Sequence, residues 1–169
     1  MQSFPTPHVS SFMAWLDSLS DWRFTGTLYL IRWAIVVPLS LLLSPLATSA
    51  DAFQADGNPW AYLIPFLVVA PALETLAECS LPYWLMYRVL KLRRQSDWPF
   101  VVVAATIMVL LHPLTPVVVV MAFITGAFLG YVYAHFARYS QGKAFLHTAT
   151  FHAAINAVGW VMLLLNATA

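Results

Sequence analysis

Both glutamates of this sequence, Glu74 and Glu78, lie within an apolar run, whereas all five aspartates, Asp17, Asp21, Asp51, Asp56 and Asp97, lie outside one. An ionisable side chain at bilayer depth costs about 2.5–3.5 kcal/mol even on a lenient insertion scale, so a functional or paired role is the first expectation. Of the five histidines, His8 sits in a polar N-terminal tail and His135 and His147 lie toward the ends of apolar segments, leaving His112 and His152 as the deep pair. His152 and Asn156 are four residues apart, hence on one helical face, as are Glu74 and Glu78. A structural role competes at each position. Glu78, beside Pro82, is at least as well explained by a hydrogen bond to a neighbouring helix, and a single buried His or Asn usually bridges helices.

A glutamate, two histidines and an asparagine in a dry place can hydrolyse an amide without a covalent nucleophile. Burial of a carboxyl favours its neutral form, which suits a base that must take a proton from water near pH 7. Glu74 is the expected base. An adjacent imidazole can orient the water or share its proton, and an imidazole with an amide N–H can donate to the oxyanion of a tetrahedral intermediate. Other hydrolytic designs lack their residues: there is no Gly-x-Ser-x-Gly elbow, no aspartate pair in an apolar run and no His-Glu-x-x-His motif. Glutamate with two histidines is also a zinc donor set, so a divalent metal such as zinc stays open, although the hydrolytic scheme itself requires no cofactor.

The elements that carry these residues are membrane helices. Of the 169 residues 61% are hydrophobic and 9% charged, against roughly a quarter charged in a soluble domain. Apolar runs recur almost without pause, and about 20 such residues span a bilayer, so the fold class expected is all-α, a polytopic bundle of about five spans. Before it, Phe12, Trp15, Leu16, Leu19 and Trp22 recur at helical spacing between Ser10 and Phe24, which predicts an interfacial amphipathic helix. The domain division expected is residues 1–24 as an interfacial segment and 25–166 as one transmembrane domain, with its core at 60–165. The first 24 residues are too long and polar for a signal-peptide n-region; the first span is expected to be retained, although Thr48-Ser49-Ala50 could mimic a cleavage site.

The first span is expected from Thr25 to Leu46, followed by a polar loop with Asp51, Asp56, Gly57, Asn58 and Pro59. The second runs from Pro59 to about Leu90, and its prolines are expected to open the helix, Pro82 at Glu78 and Pro71 at Leu67. Ser96 or Asp97 should cap the third span. Its 15 residues, from Trp98 to His112, rise only about 22 Å, so the Pro113-Leu114-Thr115-Pro116 turn should sit below the far membrane surface. The fourth, Val117 to Arg138, carries Ala122, Gly126, Gly130 and Ala134 at every fourth position, a close-packing stripe. The fifth runs from Lys143 to Leu165.

With five spans, all eight basic residues, Arg23, Arg32, Arg88, Lys91, Arg93, Arg94, Arg138 and Lys143, fall on one side, which predicts a cytoplasmic N-terminus and, in a prokaryote, the inner membrane. Counting from those anchors puts Glu74, His112 and Asn156 about 20 Å deep and His152 about 14 Å. Three helices thus deliver polar groups to one layer. A net charge of +1 offers no face for nucleic acid, and the lone Cys79 excludes disulfide frameworks.

Ala70-Pro71-Ala72-Leu73-Glu74-Thr75, then Met108 to His112, then Phe151 to Asn156 resemble the three ordered motifs of the CPBP family of intramembrane proteases. That family includes type II CAAX prenyl endopeptidases and bacteriocin-processing or immunity proteins. Its motifs read Glu-Glu-x-x-x-Arg, Phe-x-x-x-His and His-x-x-x-Asn/Asp. The resemblance implies that Glu74 activates water with His112, and that His152 and Asn156 stabilise the oxyanion. Thr75 replaces the second glutamate, Cys79 the arginine and Met108 the phenylalanine; Glu78 falls at an unconstrained position.

The function expected is a glutamate-dependent intramembrane endopeptidase acting on a membrane-tethered polypeptide, with membrane lipid as its other partner. Two alternatives use the same residues differently: a noncatalytic immunity or scaffold protein binding through the Gly126/Gly130 face, and a proton-coupled transporter relaying through Glu74, Glu78 and His152.

Overall fold

A computed structural model describes residues 11–47 and 59–167. His8, the Thr48-Ser49-Ala50 stretch and the polar loop through Asn58 lie outside them. Among the described residues there are helices and turns and no strand. The helices are α1 (Ser11–Asp17), α2 (Asp21–Leu43), α3 (Trp60–Val89), α4 (Trp98–Leu110), α5 (Pro116–Ala137) and α6 (Gln141–Ala167). Four of them, α2, α3, α5 and α6, are long and apolar enough to cross a membrane, and α4 is a shorter apolar helix. This is the all-α polytopic bundle expected.

Within the amphipathic stretch expected from Ser10 to Phe24, the described residues, from Ser11 on, divide into two elements. The Ser18 hydroxyl bonds the Trp15 carbonyl at 2.6 Å, a local alternative to the helical ladder, and Ser20 is extended. The next helix therefore starts at Asp21, earlier than the expected Thr25. Leu16 and Phe24 are buried while Phe12, Trp15 and Trp22 are exposed.

Helix α3 alternates ordinary turns with three wide π turns, Pro65–Val69, Leu76–Ser80 and Leu85–Val89. Backbone bonds there reach back five residues, from Ala70 N–H to the Pro65 carbonyl and from Leu81 N–H to the Leu76 carbonyl. In that register Pro71, which has no N–H, faces the Phe66 carbonyl, and Pro82 faces that of Ala77. The expected openings at Leu67 and Glu78 are thus displaced by one residue, because the extra residue of each wide turn is taken up just before the proline ring.

Helix α5 is the axis of the bundle: 44% of its most apolar window is buried, against 11–17% in the other three spans. Its small-residue stripe lies on α4. A Cβ on Gly126 would stand 2.6 Å from the Met108 Cβ and 2.8 Å from the Ala105 Cα, and one on Gly130 would stand 2.9 Å from the Ala104 Cβ. Backbones come this close only because the side chains are absent. The stripe is consumed inside the chain, so it is not a free surface for the partner that the scaffold alternative requires.

The α4 start, the ends of α3 and α5 and the starts of α2 and α6 are tied together at one end of the bundle. Asp97 pairs with Arg94 at 2.6 Å and with Arg138, Arg94 donates to the Tyr83 hydroxyl and the Ala134 carbonyl at 2.7 Å, and Lys143 meets Asp21 at 2.5 Å. Asp97 holds the N-cap position of α4, but its side chain makes no capping bond because both arginines have claimed it. Burial opposes its charge, yet the hydrogen bonds from Arg138 and Arg94 outweigh that and hold the carboxyl below its ordinary range.

Candidate active site

Glu74, His112, His152 and Asn156 line one cavity of about 540 Å³ between α3, the turn after α4, α5 and α6, with Phe66, Met108 and Thr125 among the other walls. Short α4 ends at Leu110, and that early stop brings His112 back to the level of the other three. The four residues come from three separate stretches of sequence, and the cavity is of ordinary ligand-site size.

The His152 Nε2 lies 3.1 Å from the Glu74 Oε2. With Glu74 ionised, that nitrogen carries the proton and the imidazole orients the carboxylate. The Glu74 side chain is 30% exposed and that of His152 only 3%, so the acid opens to the cavity while the ring behind it is fixed. The His112 Nδ1 lies 2.8 Å from the Met108 carbonyl. A carbonyl only accepts, so Nδ1 carries the hydrogen and Nε2 of neutral His112 is an acceptor for a water proton.

Asn156 has a second employment. Its Nδ2 donates to the Phe66 carbonyl at 3.0 Å, the same carbonyl that faces Pro71 in the wide-turn register. The amide thereby supplies the donor that proline lacks and ties α6 to α3. One Asn156 N–H remains for the cavity, since the amide nitrogen carries two. Of the imidazole and amide expected at an oxyanion, the His152 Nε2 faces Glu74 in this arrangement.

Glu78 separates from Glu74 despite the four-residue spacing, because Leu76–Ser80 is a wide turn and advances less per residue. Glu78 is wholly buried, with both carboxyl oxygens lacking a hydrogen-bond partner, and it is not among the cavity walls. Thr75 and Cys79 are also wholly buried. His135 and His147 are packing residues, stacked on Phe24 and Phe136 respectively at 3.9 and 4.0 Å, and His147 also meets the Thr25 hydroxyl at 3.0 Å.

Two residues escaped the sequence reading. Arg32 is buried in the middle of α2 and donates through Nη2 to the Thr125 hydroxyl at 3.0 Å, and Thr125 lines the cavity. The signal was present, since an arginine about 16 Å into an apolar helix is as costly as the glutamates, but Arg32 was counted only as a marker of orientation. Among the described residues no three or more His, Cys, Asp or Glu side chains are grouped so as to hold a metal ion.

Residues 56–158 match the family model of type II CAAX prenyl endopeptidase Rce1-like proteins. The chain belongs to this family. It is an integral, multi-pass membrane protein of a CAAX-type intramembrane protease family, and the matched stretch contains all four residues of the cavity set. Helices α1 and α2, with Arg32, lie outside it. No curated protein and no solved structure matches the chain significantly. In this Rce1-like chain the first-motif positions that depart from the CPBP pattern, Thr75 and Cys79, are packed into the core and do not line the cavity.

Proposed function

We propose that this chain is an intramembrane endopeptidase in which Glu74 acts as general base on water. The observation that carries this reading is the 3.1 Å contact of Glu74 with His152 on the wall of a cavity shared with His112 and Asn156. Water held between the Glu74 carboxylate and the His112 Nε2 gives a proton to Glu74 as its oxygen attacks the peptide carbonyl carbon. The resulting oxyanion takes a hydrogen bond from the remaining Asn156 N–H. Collapse breaks the C–N bond, and Glu74 returns the proton to the leaving amine. His152 keeps the carboxylate aimed throughout.

The substrate in this reading is a membrane-tethered polypeptide, and the family description makes a prenylated C-terminal Cys-a-a-X peptide the first one to try. The N-terminus and the ion-paired end of the bundle are assigned to the cytoplasm, where such a substrate resides. The test uses the full chain in proteoliposomes with a farnesylated peptide. Glu74→Gln should lower cleavage by at least about 10³-fold at unchanged thermal stability; cleavage that survives this substitution sinks the proposed base.

A further inference from the structure

The cavity set is short of hydrogen-bond donors. The His112 N–H is committed to the Met108 carbonyl, the His152 Nε2 stands 3.1 Å from the Glu74 carboxylate, and Asn156 has given one of its two N–H groups to Phe66. A developing oxyanion needs more than the single N–H left, because preorganised donors aimed at that charge supply much of the stabilisation in acyl transfer.

Thr125 lines the same cavity, on α5. Its oxygen accepts from the Arg32 Nη2 at 3.0 Å. A hydroxyl has one hydrogen to give and two lone pairs to receive with; with a guanidinium on one lone pair, the hydrogen is turned away from Arg32. Thr25 and Thr106 spend that hydrogen on the carbonyl four residues back, that of Asp21 and that of Val102. Thr125 makes no such bond, since its one hydrogen bond is the one received from Arg32.

Arg32 is itself anomalous. It is 95% buried, its Nε and Nη1 have no hydrogen-bond partner, and among the described residues no carboxylate pairs with it. Its other contact is the Trp33 ring, 4.6 Å from the guanidinium carbon. An uncompensated cation in such surroundings is expensive, and it biases its neighbourhood toward negative charge. A charge-assisted bond also polarises the hydroxyl that receives it, which strengthens the bond that hydroxyl then donates.

We propose that the Thr125 hydroxyl, polarised and oriented by Arg32, is a second oxyanion donor that hydrogen-bonds the substrate carbonyl oxygen beside Asn156. Thr125 touches the reacting atoms; Arg32 is a positioning residue that acts through it. The inference rests on the hydrolytic reading above and adds a residue from outside the motif set and another from outside the family-matched stretch.

The experiment compares Thr125→Val, Thr125→Ser and Arg32→Met in proteoliposomes with the farnesylated peptide. Valine matches threonine in shape but strands the Arg32 Nη2, so the unfolding temperature is measured alongside; in the folded enzyme kcat should fall about 10²-fold with KM within threefold. Serine, which keeps the hydroxyl, should restore most of the loss, a rescue that a packing role does not give. Arg32→Met should lower kcat in the same direction and have no additional effect once Thr125 is valine. A Thr125→Val enzyme with kcat within threefold of wild type, while Glu74→Gln is inactive, overturns the donor proposal and leaves the general base standing. Should wild type cleave no peptide, binding decides: a farnesylated peptide phosphinate, which mimics the tetrahedral oxyanion, should bind wild type at least tenfold more tightly than its amide. Thr125→Val should remove that preference. Equal binding of phosphinate and amide by wild type, or an unchanged preference in Thr125→Val, overturns the proposal.

Discussion

The two ends of α4 hold two polar clusters of opposite character. At its start Asp97 is saturated by Arg94 and Arg138, and Arg94 is in turn held by Tyr83 and Ala134. Beyond its other end His112 joins a cavity in which Glu74 is part-exposed and Nδ1 of His152 is unpartnered, and behind the Thr125 wall of that cavity Arg32 carries idle donors. The first cluster uses its polar groups against one another and fixes helices. The second withholds some of its capacity, and unspent donors and acceptors beside a cavity are what a substrate can use. Charge alone does not tell scaffold from site, nor does lack of a partner, since Glu78 lacks partners and does not line the cavity; the combination of unspent polar groups with a cavity wall does.

The largest effect expected is one that destroys both regions together. Gly126→Leu drives a side chain into the Met108 Cβ and the Ala105 Cα, and backbone cannot step aside as a flexible side chain can. A loss of about 3 kcal/mol or more is expected, read as a collapse of the size-exclusion peak or of the unfolding temperature in detergent.

The two regions should next come apart under matched substitutions. Asp97→Asn strands two arginines and should cost about 2 kcal/mol of stability, whereas Glu74→Gln costs activity and little stability. The Asp97 contribution also has a sign in pH. Its carboxyl is held below the ordinary value of 3.8, so its stabilisation is complete above that value and fades as pH falls through the folded one. The stability gap between wild type and Asp97→Asn should therefore be flat from about pH 5 to 8 and close below about pH 4. A gap that widens on acidification contradicts the assignment.

The smallest effect sharpens the boundary, because Asn156 belongs to both categories. Asn156→Ala should cost about 1–2 kcal/mol by stranding the Phe66 carbonyl. In a Pro71→Ala background, where residue 71 has its own N–H, that cost should shrink to a few tenths in a double-mutant cycle. An undiminished cost means that the amide is not compensating for proline.

Much of this protein was legible from its residues. Solvation energetics and helical rise are local properties, so the all-α membrane class, the shortness of α4, the packing stripe on α5 and the common layer of Glu74, His112, His152 and Asn156 could be counted off the chain. The break after the first helix, at Ser18 to Ser20, was not legible because hydrophobic spacing does not register a serine hydroxyl competing for a carbonyl. The capping role given to Asp97 failed because two arginines, one from 41 residues away, took its oxygens.

What only the tertiary structure decided is partnership. The separation of Glu74 from Glu78 depends on wide turns that α-helical counting does not contain. The approach of His152 to Glu74, the repair of Pro71 by Asn156 and the backing of Thr125 by Arg32 each join residues more than 75 positions apart. Sequence fixes which groups are too costly to be buried without a reason. Which donor meets which acceptor depends on how the helices pack, because a hydrogen bond requires heavy atoms within about 3 Å, a precision that depth counting at one residue per ~1.5 Å of rise does not supply around the helix axis.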